Sequence, residues 1–263
     1  MKILFFGDIY AKTGRSALRK VLPALREKLE PDFIIANVEN LAHGRGPTGK
    51  QLNELKDMGV DGFTSGNHIF CTNGYEKLFS KNTFTLARPA NYPSKGVPGK
   101  GYFVLKKGAK KLFVANLMGR IFMAEPLDNP FFAADKLVKE AKKLGVKNIF
   151  IDFHAEATSE KSMLGAYLDG RVGAVVGTHT HVQTSDNRVL PDGTAFISDA
   201  GFCGALNSGI GAKTETVLQR FLTGIPVKME VAENLPFLVS GVLVELNNRG
   251  RAKSIERVYE LVE

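Results

Sequence analysis

The stretch VGAVVGTHTH, residues 172–181, is a short continuous apolar run that ends on two histidines one residue apart. A run of this length bounded by glycine reads as a strand buried on both faces, the kind found in parallel sheets covered by helices. The chain has five histidines, His43, His68, His154, His179 and His181, in 263 residues. Two of them within three positions is a local feature that composition does not explain, and the pair points to a metal more than to packing.

The same grammar recurs on either side of that stretch. ILFF (3–6), FIIANV (33–38) and NIFIDF (148–153) are further apolar runs, and TAFISDAG (194–201) follows a PDG turn. Helical patterns stand between them at 14–29, 49–58, 133–144 and 160–168, with Pro23 predicting a kink or early break and Gly59 a left-handed end. Strands alternating with helices argue for parallel pairing. GYFVLKK and KLFVANLMG around the turn at 108–109, and FLVSGVLVEL and SIERVYEL around NNRGR, read as hairpins. No linker, composition break or repeat divides the chain. The expectation is a single α/β domain over residues 1–263 with two mixed sheets.

Composition narrows the class. At 44% hydrophobic and 24% charged, with no apolar stretch approaching ~18 residues, the chain reads as a cytoplasmic globular protein. Cys71 and Cys203 form no CxxC pair and read as free thiols. A net charge of +8 favours anionic, including phosphorylated, partners. The lysine groups KKGAKK (106–111) and AKKLGVK (141–147) lack interleaved aromatics and read as solvated faces rather than a nucleic-acid stripe.

Chemistry collects at the strand ends. ILFFG runs into Asp8, FIIANV into Glu39 and Asn40, GFTSG into Asn67 and His68, NIFIDF into His154, and VGAVVGT into His179 and His181. Taken singly, each has an ordinary reading: a turn or cap for Asp8, a polar loop start for Glu39 and Asn40, a hydrogen-bonded half-buried ring for His68. Their joint placement is the signal, because parallel strands carry their carboxyl ends, and the ligands bound there, to a common edge. Carboxylates, imidazoles and amide oxygens suit Mn, Fe or Zn. One ion could not use so many donors, so two divalent ions sharing a carboxylate are expected. With Asp8, Glu39 and a bridging hydroxide the site stays positive, which favours a phosphate ester; the hydroxide would attack phosphorus.

GDIYAKTGR, NVENLAHGRG, SGNH, DFHAE and GTHTHVQT, in this order, resemble the calcineurin-like metallophosphoesterases, and more closely their YmdB-like branch of phosphodiesterases acting on 2′,3′-cyclic nucleotides. The resemblance runs from Met1 to about Gly211. It implies two mixed β-sheets packed in a sandwich flanked by helices. It also implies that Asp8, Glu39, Asn40 and His181 hold one metal, and that Glu39, Asn67, His154 and His179 hold the other, with Glu39 as the bridge. His68 is implied as the proton donor to the leaving oxygen. Three positions depart from the broader pattern: Tyr10 stands where the superfamily has histidine, Glu39 followed by Asn40 replaces its bridging aspartate, and Cys71 takes the place of an acid that would orient His68.

His43 and Arg45, in LAHGRGPTG, are minor candidates for contacts to substrate phosphate or base; an exposed loop histidine accounts better for His43. AKTGR lacks the GxxxxGK[ST] spacing and is no phosphate loop. Two other functions compete: a serine hydrolase built on Ser198 beside Asp199, which has no GxSxG elbow, and a noncatalytic basic RNA-binding protein with a structural metal. The expected partner is a small phosphodiester or an RNA end, with no membrane; LPFLVSGVLV serves either a second sheet or a contact between copies.

Overall fold

The computed structural model describes residues 1–80, 83–93 and 95–263. In chain order the elements are β1 (Lys2–Phe6), β2 (Asp8–Ile9), α1 (Ala11–Leu29), β3 (Phe33–Asn37), α2 (Gly49–Asp57), β4 (Gly62–Thr64) and a 3₁₀ turn at Tyr75–Leu78. Next come β5 (Tyr102–Lys107), β6 (Lys110–Met118), α3 (Pro130–Lys143), β7 (Ile149–His154), α4 (Thr158–Leu168) and β8 (Ala174–Thr178). The chain ends with β9 (Arg188–Val189), β10 (Ala195–Ile197), β11 (Phe202–Ala205), α5 (Thr214–Thr223), β12 (Phe237–Leu246) and β13 (Ala252–Val262).

Two mixed sheets result. The first runs β2-β11-β12-β1-β3-β4, with β13 on the free edge of β12; β1, β3 and β4 are mutually parallel and β12 is antiparallel to its neighbours. The second runs β5-β6-β7-β8-β10-β9, parallel from β6 through β10. Apolar side chains from both inner faces interlock in one cluster, where Phe5 and Phe150 meet at 5.1 Å between ring centres. A second cluster lies under α1 and α2, and a third under α3 and α4. The layers are therefore helix, sheet, sheet, helix, the arrangement expected for strands that read as apolar on both faces.

Local choices explain most elements. Leu18, Leu22 and Leu25 bury one side of α1, which runs through Pro23 to Leu29 without the expected break. The packing of that stripe outweighs the hydrogen bond that proline removes. Thr48 and Gln51 close a capping box on α2, and Asn129 caps α3 ahead of Pro130. α5 was not anticipated, because none of its residues is buried and Leu218, Phe221 and Leu222 point outward. No helix among the described residues is long and apolar enough to cross a membrane.

Candidate metal centre

The strand ends converge, but from two sheets rather than one. Asp8, Glu39 and Asn67 follow β1, β3 and β4 of the first sheet; His154 ends β7, and His179 and His181 follow β8 of the second. Asp8 Oδ1 lies 3.8 Å from both His154 Nδ1 and His181 Nε2. Glu39 Oε1 is 3.8 Å from His154 Nε2, and its carboxylate accepts the His68 backbone N–H at 2.9 Å. His154 Nε2 and His179 Nδ1 are 3.1 Å apart, as are His181 Nε2 and Asn40 Oδ1. Asp8 and Glu39 are 0% and 1% exposed, so neither carboxylate is hydrated from bulk.

Backbone geometry concentrates at this junction. His179 and His181 both have positive φ, +100° and +63°. For residues other than glycine such conformations cost about 1–3 kcal/mol and persist only where their surroundings impose them. Here the His179 N–H donates to Asp8 Oδ2 at 3.2 Å, and Thr180 donates from backbone and hydroxyl to Asp199, which also pairs with the buried Lys161 at 2.9 Å. A Cβ on Gly66 would come within 2.3 Å of the His154 ring, so only glycine lets that turn pass the imidazole.

Hydrogen bonds assign the ring tautomers. His181 Nδ1 faces the carbonyl oxygen of Ile210 at 2.9 Å, which can only accept, so Nδ1 carries the proton and Nε2 a lone pair. Asn40 Nδ2 donates to Gly44, which turns its Oδ1 toward Nε2. Two lone pairs thus meet at 3.1 Å, an arrangement that a cation beside them would relieve. Two ligands bound at ~2.1 Å and right angles to one ion stand ~3 Å apart. Beneath the centre, the Thr178 hydroxyl donates to Asp152 at 2.7 Å and faces His154 Nδ1 at 2.9 Å. His154 Nδ1 is therefore the donor and its Nε2 is left for a ligand. Asp152 also accepts from Asn37 at 2.8 Å and from Thr64. This relay escaped the sequence reading, since Asn37, Thr64 and Asp152 lie inside apolar strand runs.

Among the described residues two acceptors, Asp8 Oδ1 and Asn67 Oδ1, are buried with no hydrogen-bond partner, which fits them to ligate a cation. Among the described residues no three His, Cys, Asp or Glu side chains alone close to metal-binding distances. The donors pair with one another instead, and an asparagine oxygen belongs to each expected set. Burial, followed by the charges of Asp199 and Glu39, raises the Asp8 carboxyl far above its usual range. Burial also holds His154, His179 and His181 below the usual imidazole range, keeping these rings neutral and able to ligate.

His68 behaves differently. Burial would lower its pKa, but Glu39, whose Oε1 lies 2.7 Å from Nδ1, raises it overall, and the Glu125 carboxylate adds to the rise. Glu125 thus supplies negative charge near His68 although Cys71 replaces the expected acid. Arg45 is exposed and close enough for its charge to bear on His68 and Tyr10. His43, exposed at φ +52°, makes no side-chain hydrogen bond among the described residues. Ser198 donates to Asp186 at 2.6 Å and has no histidine among its hydrogen-bond partners, which removes the basis for a serine nucleophile.

The family described as YmdB-like protein matches residues 4–258. A Bacillus subtilis (strain 168) protein named 2′,3′-cyclic-nucleotide 2′-phosphodiesterase is 48% identical over 261 residues, covering 98% of this chain and 96% of that protein. A hypothetical protein from Thermus thermophilus superposes with a TM-score of 0.93 at 40% identity, covering 100% of both chains. A structure described as a novel phosphatase from Mycoplasma pneumoniae superposes at 0.91 with 33% identity, covering 99% of this chain and 93% of that one.

Proposed function

The chain belongs to the YmdB-like family of calcineurin-like metallophosphoesterases, and from that premise we propose that it is a phosphodiesterase hydrolysing 2′,3′-cyclic nucleotides at a centre for two divalent ions. The observation that carries the metal reading is the contact of His181 Nε2 with Asn40 Oδ1, two lone pairs 3.1 Å apart in a buried site. In this reading Asp8, Glu39, Asn40 and His181 hold one ion, and Glu39, Asn67, His154 and His179 the other. Bound there, divalent ions supply Lewis acidity to the phosphoryl oxygens and make water acidic enough to attack near neutral pH. Imidazole, carboxylate and amide donors without thiolate suit manganese, iron or zinc.

The protein's own groups do the rest. Asp152, through Thr178, keeps the proton of His154 on Nδ1. The Ile210 carbonyl does the same for His181. His68 has its Nδ1 beside Glu39 and its side chain 25% exposed, so Nε2 is the atom that holds a proton for the departing ribose oxygen. Arg45, exposed and near enough for its charge to bear on His68, would meet the charge of the phosphate. The two free thiols fit a reducing compartment, and the cytoplasm is the proposed location.

The test joins metal analysis of native protein to a product screen over 2′,3′- and 3′,5′-cyclic nucleotides, with Glu39→Gln assayed on a chromogenic diester after metal repletion. Two metal equivalents, preferential opening of the 2′,3′ ring and a loss of at least ~100-fold in the variant are expected. Undiminished turnover by Glu39→Gln would reject the mechanism.

A further inference from the structure

AKKLGVK carries exposed lysines, as expected of a solvated face, and it also borders a cleft remote from the proposed metal centre. A cavity of about 480 Å³ opens between the end of α3 and the β12–β13 turn, lined by Lys142, Lys147, Arg171, Arg249 and Arg251 over an apolar floor that includes Ile149. No carboxylate and no aromatic ring is among its lining residues. Arg171 pairs with Asp135 at 2.5 Å, whereas the other four cations have no ion-pair partner among the described residues. Asp192 stands beside Gly170 near the Arg251 guanidinium without pairing to it.

The cations are carried on packed turns. Gly145, Gly170 and Gly250 border the hollow with φ of +66°, +72° and +79°. A Cβ on Gly250 would come within 2.4 Å of the Lys147 carbonyl oxygen, so the hairpin turn is seated directly on the α3–β7 turn. Four of the five cations are exposed and Arg251 is half-buried, so water screens part of their mutual repulsion while leaving them free to meet an anion. Ile149 begins β7 and His154 ends it, so the cleft and the metal centre lie at opposite ends of one strand, roughly 16 Å apart.

We propose that this cleft binds a small polyphosphate, the diphosphate unit of a nucleotide or of free pyrophosphate. Its volume falls in the ~300–1,000 Å³ range of small-ligand pockets. Two arginine forks match phosphate oxygens in pairs, and the lysines add point charge. The apolar floor suits a ribose or base. A single-stranded nucleic acid would instead call for cations strung along a groove and aromatic rings for stacking, and this lining has no ring.

Titration calorimetry on the metal-loaded protein, with inorganic pyrophosphate, ADP and a short single-stranded oligonucleotide as probes, tests the proposal. Pyrophosphate and ADP should bind wild type, and Arg249→Gln/Arg251→Gln should weaken both by about tenfold or more while cleavage of a chromogenic diester stays unchanged. Lys142→Gln/Lys147→Gln repeats the test without altering the hairpin. Absent binding, or equal affinity in wild type and both variants, overturns the proposal. So does an oligonucleotide that binds more tightly than ADP and competes with it.

Discussion

At the scale of single residues, the residues proposed as metal donors stand out because each ends an apolar run with a side chain that burial alone would disfavour: Asp8, Glu39, His154 and the pair His179 and His181. What supports them was not legible. Gly66 looks like any turn glycine, yet its missing Cβ leaves room for the His154 ring. Gly66→Ala should therefore displace that ring and cut diesterase activity by about tenfold or more, because small misplacements at reacting centres are costly. Activity within twofold of wild type would show the contact to be tolerant. Asp186 offers a stability test apart from the centre. Burial alone would raise its pKa, but donated hydrogen bonds from Ser198 and Thr184 hold it below the usual carboxylate range. Its folded value is below the unfolded one, so its contribution is complete above about pH 3.9 and fades as pH falls through the folded value. Asp186→Asn should lower Tm at pH 7, with the gap closing on acidification and turnover unaffected. A gap constant with pH would assign the loss to packing.

Among the elements, helices with a clear apolar stripe, such as α1 and α3, were readable from spacing, and both hairpins from their turns. Pro23 misled because propensity is weighed against burial, and Leu22 and Leu25 are both buried beside it. α5 escaped notice because its apolar residues face outward. Four strands also share a polar core that no period reveals. Asp152 of β7 gathers Asn37 of β3, Thr64 of β4 and Thr178 of β8, and burial lifts its carboxyl to about 7 despite those donated bonds. Asp152→Asn offers an amide where three donors already point. It should weaken metal binding by about 10–100-fold with the fold retained, as measured by competition with a chelating dye. Unchanged affinity would leave Thr178 and Asp152 a packing role only.

For the whole molecule, strand and hairpin patterns announce two mixed sheets, but apolar runs do not announce which partners they pair with, and the converging strand ends belong to both sheets rather than to one edge. Because β1, β3 and β4 supply donors from one sheet and β7 and β8 from the other, bound ions would tie the sheets together. Metal at ~100 times its Kd adds ~2.7 kcal/mol to stability, or about 5–10 °C in Tm for a chain of this size. Scanning calorimetry before and after chelation measures it, and an unchanged Tm would count against ions that link the layers. The first sheet carries one more consequence. β12, from residues 237–246, pairs with β1 through contacts such as Lys2 with Glu245. During synthesis the earliest strand must wait, with that flank bare, for nearly the entire polypeptide to emerge. Closure of this layer is thus a long-range event, and until the β12–β13 hairpin is made that flank of β1 is an open strand edge.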